Sequence, residues 1–362
     1  MFNDYHTKQL SSNSLSSLST IEMVRMRKPL SSFPDIARSA FGPMGNMLLS
    51  SALYFELFSC LCIFFVTLGD HLHALFPSLS TKTHMIHVAF ALAVPTALLR
   101  TPRLLSYLSA VGTFASTSIV LSVFGAAVFS GDVSMEIAHR ENLDVSSTHT
   151  LWKTNGLVIA FGLIAFTFAG HAIIPSIYSS MSNPKEYESM ITFSFVVVTT
   201  CCLVVAVSGY YMFGSLVDDQ VTLSLEKHTG SENILISMIT WLMILTAFSK
   251  FALSAFPLAL GIEECFTAYI SSEHVMEFVS SAIRLILIAA SLAVAIFIPS
   301  FSYLCSLVGL ICTMVVSVVF PAAAHLKLFG AKLPLWERVI DWIFIIAGTL
   351  ITVMGTIQFT LS

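Results

Sequence analysis

Charged residues are scarce in this sequence, and that scarcity excludes an ordinary soluble domain. Asp, Glu, Lys and Arg make up only 10% of the 362 residues, whereas a typical globular chain is about a quarter charged. Hydrophobic residues make up 56%, and the mean hydropathy is +0.85. The net charge of -4 argues against nucleic acid as a partner. The composition therefore predicts a protein that is embedded in the lipid bilayer.

Patterns for disulfides, metal sites and catalysis are also sparse. The seven cysteines lie in or beside apolar runs, which predicts small apolar fillers rather than disulfides. His71 with His73, and His84 with His87, lack the cysteine or carboxylate cluster that would complete a tetrahedral site, so no metal and no cofactor are predicted. No nucleophile accompanies a base at membrane depth, so we predict that the protein is not an enzyme.

The apolar residues fall into nine runs near the ~20 residues that cross a bilayer as a helix, which predicts an all-α polytopic membrane protein. The predicted spans are about Met47–Leu68, Thr83–Leu99, Leu104–Phe129, Gly156–Tyr178, Ile191–Phe213, Ile234–Phe256, Ala282–Ile298, Phe301–Ala324 and Ile340–Phe359. A turn at Pro299 and Ser300 is predicted to separate the seventh from the eighth. Residues 1–46 are polar and predict a mobile cytosolic tail, and residues 47–359 form the predicted transmembrane domain.

The positions of Lys and Arg predict the orientation of the chain. If the N-terminus lies in the cytosol, only Lys82, Arg140, Lys153 and Lys227 fall in loops on the opposite side. The remaining loop cations then face the cytosol, as the positive-inside rule requires. Nine spans would place the short C-terminus on the lumenal or extracellular face.

Ionisable side chains inside the spans are candidates for function, because each costs ~2.5–3.5 kcal/mol at the centre of a membrane helix. Glu56 is the tenth residue of the first span, which favours a functional role. Lys250 has Thr246 and Ser254 four residues to either side, so a polar stripe follows one face of the sixth span. For Lys250, a coupling role and simple snorkelling to the interface are equally favoured.

Two further ionisable residues, Arg284 and Asp341, lie at span ends and are interpreted as interfacial anchors.

The fourth span contains "FTFAGHAIIPSIY", in which a Gly-His pair precedes a proline. In a continuous helix Pro175 would leave the carbonyl of His171 unpaired, and Gly170 would ease a bend. Discontinuous helices of this kind hold substrate in secondary transporters. The residues that we predict to bind substrate are Phe168, Ala169, Gly170, His171 and Pro175. A plain kink without a binding role is the alternative.

Several stretches together resemble the amino acid/auxin permease family. They include "FTFAGHAIIPSIYSSMSNPKEY", "SGYYMFGSLVDDQVTLSL", "FSKFALSAFPLALGIEE", "IPSFSYLCSLVGLICTMVVSVVFPAAAHLKLF" and "FPDIARSAFGPMGNMLLSSALYFELFSCLCIFFVTLGDHLHALFP". Within that family, the sequence is most similar to the vacuolar amino acid transporters and their vesicular inhibitory amino acid relatives. The resemblance extends from about Phe33 to Phe359.

The resemblance implies a LeuT-like fold of eleven spans with an inverted repeat, of which this chain is expected to carry the third to the eleventh. It implies secondary active transport of an amino acid substrate, with the proton as coupling ion. Glu56, or as the second candidate His171, would accept that proton, and Lys250 would supply a fixed positive charge. The implied location is the vacuole or another endomembrane, with the plasma membrane as an alternative. A chain without the first two helices also leaves open a non-transporting regulatory or partner subunit.

Overall fold

A computed structural model of the chain describes residues 32–98, 102–140, 156–170, 173–229, 234–267, 270 and 272–361. Within this part of the chain every regular element is helical. In chain order the helices are α1 (Phe33–Leu75), α2 (Thr81–Leu98), α3 (Pro102–Ser130), α4 (Ser134–Arg140), α5 (Leu157–Thr167), α6 (Ile174–Ser180), α7 (Tyr187–Phe213), α8 (Val221–Thr229), α9 (Ile234–Thr267), α10 (Glu273–Phe297), α11 (Phe301–Val308), α12 (Phe320–Phe329) and α13 (Leu335–Leu361).

Helix α1 begins well before the first predicted span. It starts at Phe33, where the Ser32 hydroxyl accepts a hydrogen bond from the Asp35 amide at 3.3 Å. A kink at Gly42, whose φ of 74° suits glycine, accommodates Pro43 inside the helix. The helix therefore begins upstream of the predicted span start at Met47 and continues across a Gly-Pro kink, while the boundary between tail and membrane domain stays a prediction. Residues 1–31 of the predicted tail lie outside the described residues.

Seven helical segments in the described part of the chain are long and apolar enough to cross a membrane. They are α1, α3, α7, α9, α10, the segment from α11 to α12, and α13. The predicted second span corresponds to α2 of 18 residues, and the fourth is divided between α5 and α6. A polytopic helical protein is therefore confirmed, whereas the count of nine spans is not.

The chain leaves regular α-helical geometry at two places, after α10 and after α11. Ile298 to Ser300 are not helical, and Ser300 caps α11 by accepting a bond from the Tyr303 amide at 3.4 Å. The predicted separation at Pro299 and Ser300 is thus observed. Between α11 and α12 the helix continues through two π-helical stretches, Gly309–Thr313 and Val315–Val319. Such wide turns often occur at functional sites.

The centre of the molecule is an apolar cluster between α1 and α9, with α2, α10 and α11 packed around it. Phe65 of α1 and Phe251 of α9 are completely buried and meet edge to face, with ring centroids 5.2 Å apart. In contrast, α7 and α13 leave large apolar side chains such as Phe193, Trp342 and Ile346 exposed. An apolar exterior of this kind suits contact with lipid acyl chains.

Three hydrogen bonds join loops or helix ends that are distant in sequence. His71 bonds to Thr222 at 2.9 Å, and Ser300 bonds to Asp219 at 3.2 Å. These residues belong to loops or helix ends that the sequence places on the non-cytosolic side. Arg284 donates to the Thr96 carbonyl at 3.1 Å, and both lie toward the side predicted as cytosolic. Each of these bonds joins segments that are predicted to lie on the same side of the membrane, and the sidedness itself stays a prediction.

Candidate functional site

The fourth predicted span is interrupted in the structure. Helix α5 ends at Thr167, and the Phe168 amide donates to the Ile164 carbonyl at 3.3 Å. The Ala169 amide then makes a tighter turn by donating to the Phe166 carbonyl at 3.0 Å. Helix α6 begins at Ile174, and Phe168, Ala169 and Gly170, which follow α5, are not helical. The interruption occurs in the segment where the sequence predicts it.

The cause of the interruption differs from the predicted one. We predicted that Pro175 breaks a helix by leaving the His171 carbonyl unpaired, but Pro175 lies in the first turn of α6. Proline is tolerated there, because the first amides of a helix have no partner within it. Pro175 therefore begins the second helix rather than kinking a continuous one. His171 lies outside the described residues, so its predicted role stays a prediction.

The other predicted substrate residues differ in their surroundings. The Phe168 ring stacks on Phe195 of α7, with centroids 6.0 Å apart and an interplanar angle of 15°. Ala169 and Gly170 are exposed. A Cβ built on Gly170 meets no atom within 4 Å, and its backbone is not in the left-handed region. Gly170 is therefore not required for close packing, although its exposed backbone is accessible to a ligand.

Glu56 of α1 is buried and has a specific partner. Only 9% of its surface is exposed, and its Oε1 accepts a hydrogen bond of 2.6 Å from the Thr313 hydroxyl. Thr313 ends the first π-helical stretch. A carboxyl group held by one hydroxyl keeps acceptor sites when ionised and gains a donor when protonated. The pair can therefore remain bonded in either protonation state.

The three residues of the predicted polar stripe on α9 lie in different environments. Thr246 is buried and its hydroxyl has no hydrogen-bond partner, Ser254 is half-buried, and Lys250 is exposed. In the part of the chain that the structure describes, no carboxylate pairs with the Lys250 ammonium. No hydrogen bond or ion pair there joins Glu56 to Lys250. A joint role in coupling thus stays a prediction.

Two glycines that the sequence analysis missed bring α5 against α11 and the π-helical stretch that follows it. A Cβ on Gly309 would overlap the Gly162 carbonyl oxygen and would lie 3.1 Å from the Phe166 amide nitrogen. A Cβ on Gly162 would lie 2.5 Å from the Ser306 carbonyl oxygen. Small residues at helix crossings let membrane helices approach in this way. Thr313 follows Gly309 by four residues, so this crossing links the interrupted helix to the partner of Glu56.

Arg284 and Asp341 are predicted to be interfacial anchors, but in the structure each is buried and paired with a residue of another helix. Arg284 is 4% exposed, and its Nε lies 3.2 Å from Glu263 Oε1. Asp341 is 8% exposed and lies 2.8 Å from His325 Nδ1. Both residues are near span ends in sequence, but neighbouring helices cover them. The sequence could not show these neighbours.

The sequence of this chain matches a known protein family. A family model described as transmembrane amino acid transporter protein matches residues 10–361. The chain belongs to this family. The interrupted helix and the buried Glu56–Thr313 pair are therefore features of a member of a transporter family, which agrees with the prediction that the protein is not an enzyme.

Individual relatives support the assignment. The amino acid transporter AVT1C of Arabidopsis thaliana is 31% identical over 337 residues, which is 90% of this chain and 58% of the relative. Amino acid transporter AVT1E from the same plant is 30% identical over 333 residues, covering 90% of this chain and 60% of the relative. Amino acid transporter AVT1H of Arabidopsis thaliana is 29% identical over 347 residues, and the match covers 76% of the length of that relative. The chain thus spans about three fifths of the length of the first two.

Proposed function

We propose that this member of the transmembrane amino acid transporter family takes part in secondary active transport of amino acids, coupled to protons. The observation that carries the proposal is the helix interruption between Thr167 and Ile174. A helix that stops within an apolar segment exposes backbone dipoles where hydrocarbon would otherwise surround it. In secondary transporters such ends bind the charged groups of the substrate and coupling ions. A LeuT-like arrangement and a vacuolar or other endomembrane location are parts of the same proposal.

The substrate would bind at the interruption. The carbonyl end of α5 carries partial negative charge, which suits the ammonium group that every amino acid carries. Ala169 and Gly170 leave the backbone exposed there, and Phe168 supplies an apolar ring beside it. His171 and Pro175 complete the proposed set. Backbone groups recognise the ammonium and carboxylate common to all amino acids, so the side-chain preference would depend on the surrounding residues.

Proton coupling would depend on Glu56. It is a carboxyl group within a candidate span, and Thr313 holds it in a fixed position. Loading a proton on one side and releasing it on the other changes its charge, which is the requirement for a coupling residue. Lys250, with Thr246 and Ser254 beside it, would supply the fixed positive charge on α9.

Reconstituted uptake tests the proposal directly. We expect the purified chain in liposomes to accumulate at least one labelled amino acid from a panel of all twenty when a pH gradient is imposed. Dissipating the gradient with a protonophore should abolish accumulation. Liposomes without protein serve as the control. Uptake that never exceeds this control, for any amino acid or gradient direction, contradicts transport by this chain.

A substitution at Glu56 tests the coupling. Glu56→Gln preserves shape and the bond to Thr313 but removes the titrating group, so uptake should lose most of its dependence on the pH gradient. Counterflow exchange, which needs no net proton movement, should persist. The measurement compares initial uptake rates with and without a gradient. Glu188→Gln, which changes an exposed carboxylate at the start of α7, should keep the dependence. An unchanged gradient effect in Glu56→Gln removes Glu56 from the mechanism.

A further inference from the structure

A cavity lies beside the C-terminal end of α1, and none of the residues that line it belongs to the interrupted helix. It has a volume of about 690 Å³ and is bounded by the C-terminal end of α1, the loop before α8, and α8 itself. Small-molecule sites occupy about 300–1,000 Å³. The cavity is therefore large enough for an amino acid and much larger than a single ion needs.

The ionisable groups that line this cavity are mostly acidic. Four are carboxylates and two can carry positive charge: Asp70, Asp218, Asp219, Glu226, His73 and Lys227. Lys227 pairs with Asp218 at 3.8 Å. Asp219 accepts hydrogen bonds from the Ser300 hydroxyl and the Ser302 amide, which are both neutral donors. In the described part of the chain no Lys or Arg pairs with Asp70, Asp219 or Glu226.

Glu226 gives an independent indication that the cavity takes a ligand. The residue is only 6% exposed and lines the cavity. Its Oε2 accepts a bond of 2.8 Å from the Thr240 hydroxyl, but its Oε1 is buried with no partner. Burial raises the pKa of the Glu226 carboxyl, and the Thr240 bond acts in the opposite direction. A buried carboxylate oxygen without a donor is costly unless a cation or donor approaches it.

The arrangement of the carboxylates indicates which class of cation fits. Among the described residues no group of three or more His, Cys, Asp or Glu side chains is placed to hold a metal ion. A calcium ion would need six to eight oxygen ligands around one point. The carboxylates are instead distributed around a wide cavity, with a single ammonium at Lys227. This pattern suits a ligand that carries two separated positive groups and one negative group.

We propose that this cavity is a binding site for a dibasic amino acid such as arginine, separate from the interrupted helix. The guanidinium and α-ammonium groups of arginine would face Asp70, Asp219 and Glu226. The α-carboxylate would face Lys227. Guanidinium groups bind carboxylates through paired hydrogen bonds, which gives selectivity beyond simple charge attraction. The binding is independent of transport and needs no gradient.

Calorimetric titration of the purified chain with L-arginine tests this site. Arginine should bind, and L-citrulline, which has nearly the same shape without the side-chain charge, should bind at least about tenfold more weakly. Glu226→Gln and Asp219→Asn should each weaken arginine binding by a similar factor. Asp219 is exposed, so its variant is expected to fold even if the buried Glu226 variant does not.

A control variant, a titration with citrulline and the Asp219→Asn variant together decide whether arginine binds in this cavity. Glu188→Gln removes an exposed carboxylate outside the cavity and should bind arginine as the unmodified chain does. A chain that binds arginine and citrulline equally, or fails to bind arginine, contradicts the proposal. Arginine binding that Asp219→Asn leaves unchanged, in a variant with a native elution profile, places the bound arginine elsewhere and also contradicts it.

Discussion

Arg284→Met is expected to destabilise the protein by ~3–5 kcal/mol, because it leaves the Glu263 carboxylate buried without its cation. The Arg284 side chain is 5% exposed and that of Glu263 is 12% exposed, so water cannot replace the lost partner. Arg284 also donates to the Thr96 carbonyl and lies 5.9 Å from the centre of the Phe256 ring. The substitution therefore affects α2, α9 and α10 together. Thermal unfolding of the detergent-solubilised protein measures the effect.

A double-mutant cycle separates the ion pair from simple packing. Glu263→Met alone should also be strongly destabilising, whereas Arg284→Met with Glu263→Met should cost far less than the sum, because no buried charge remains. The Ser280 hydroxyl, which donates to Glu263 at 2.7 Å, can then bond to a carbonyl of its own helix. Lys227→Met, at an exposed pair with Asp218, should change stability by at most ~1 kcal/mol. Additive losses in the cycle would contradict the interpretation as a buried ion pair.

Local sequence signals were sufficient to predict most helices and the interruption. Seven of the nine spans predicted from hydropathy coincide with helices that are long and apolar enough to cross a membrane, since bilayer thickness sets the length of an apolar run. The Gly-His-Pro segment predicted a break, and the helix stops there. The mechanism was nevertheless wrong at Pro175, because a proline indicates that a helix cannot continue normally but does not show on which side the helix resumes.

The contacts that define the candidate site could not be predicted, because they join distant parts of the chain. Glu56 and Thr313 are separated by 257 positions, and the π-helical turn that presents Thr313 leaves no periodic signal in the sequence. At Lys250 the sequence predicted a shared helix face but could not predict what covers it. Its spacing from Thr246 and Ser254 predicts a shared face, but the packing of α9 against α1 and α3 buries Thr246 and leaves Lys250 exposed. Spacing predicts which residues share a face, and only neighbouring helices decide what covers it.

Gly309→Ala is expected to destabilise the protein by ~1–3 kcal/mol or more, although it adds a single methyl group. The methyl group would overlap the Gly162 carbonyl oxygen and crowd the Phe166 amide. Both are backbone atoms, so neither can rotate away as a flexible side chain would. Relief requires α5 to move away from the π-helical stretch, which displaces the chain just before the interruption at Thr167. Thermal unfolding and initial uptake rate should both fall.

Gly125→Ala is the matched control, because Gly125 is also a glycine within an apolar helix but a Cβ there meets no atom within 4 Å. Alanine favours the helix over glycine by up to ~1 kcal/mol, so this variant should be neutral or slightly more stable. The two glycine substitutions are thus expected to have opposite signs. Gly162→Ala should resemble Gly309→Ala, since its Cβ meets the Ser306 carbonyl oxygen at 2.5 Å.

Combining Gly162→Ala with Gly309→Ala tests whether the two glycines form one crossing. Separating α5 from α11 and the π-helical stretch relieves both overlaps at once, so the double variant should lose less stability than the sum of the single variants. Fully additive losses would mean that each methyl group is accommodated by its own local adjustment. In that case the crossing would not fix α5 relative to Thr313, and it could not transmit a movement of the interrupted helix to Glu56.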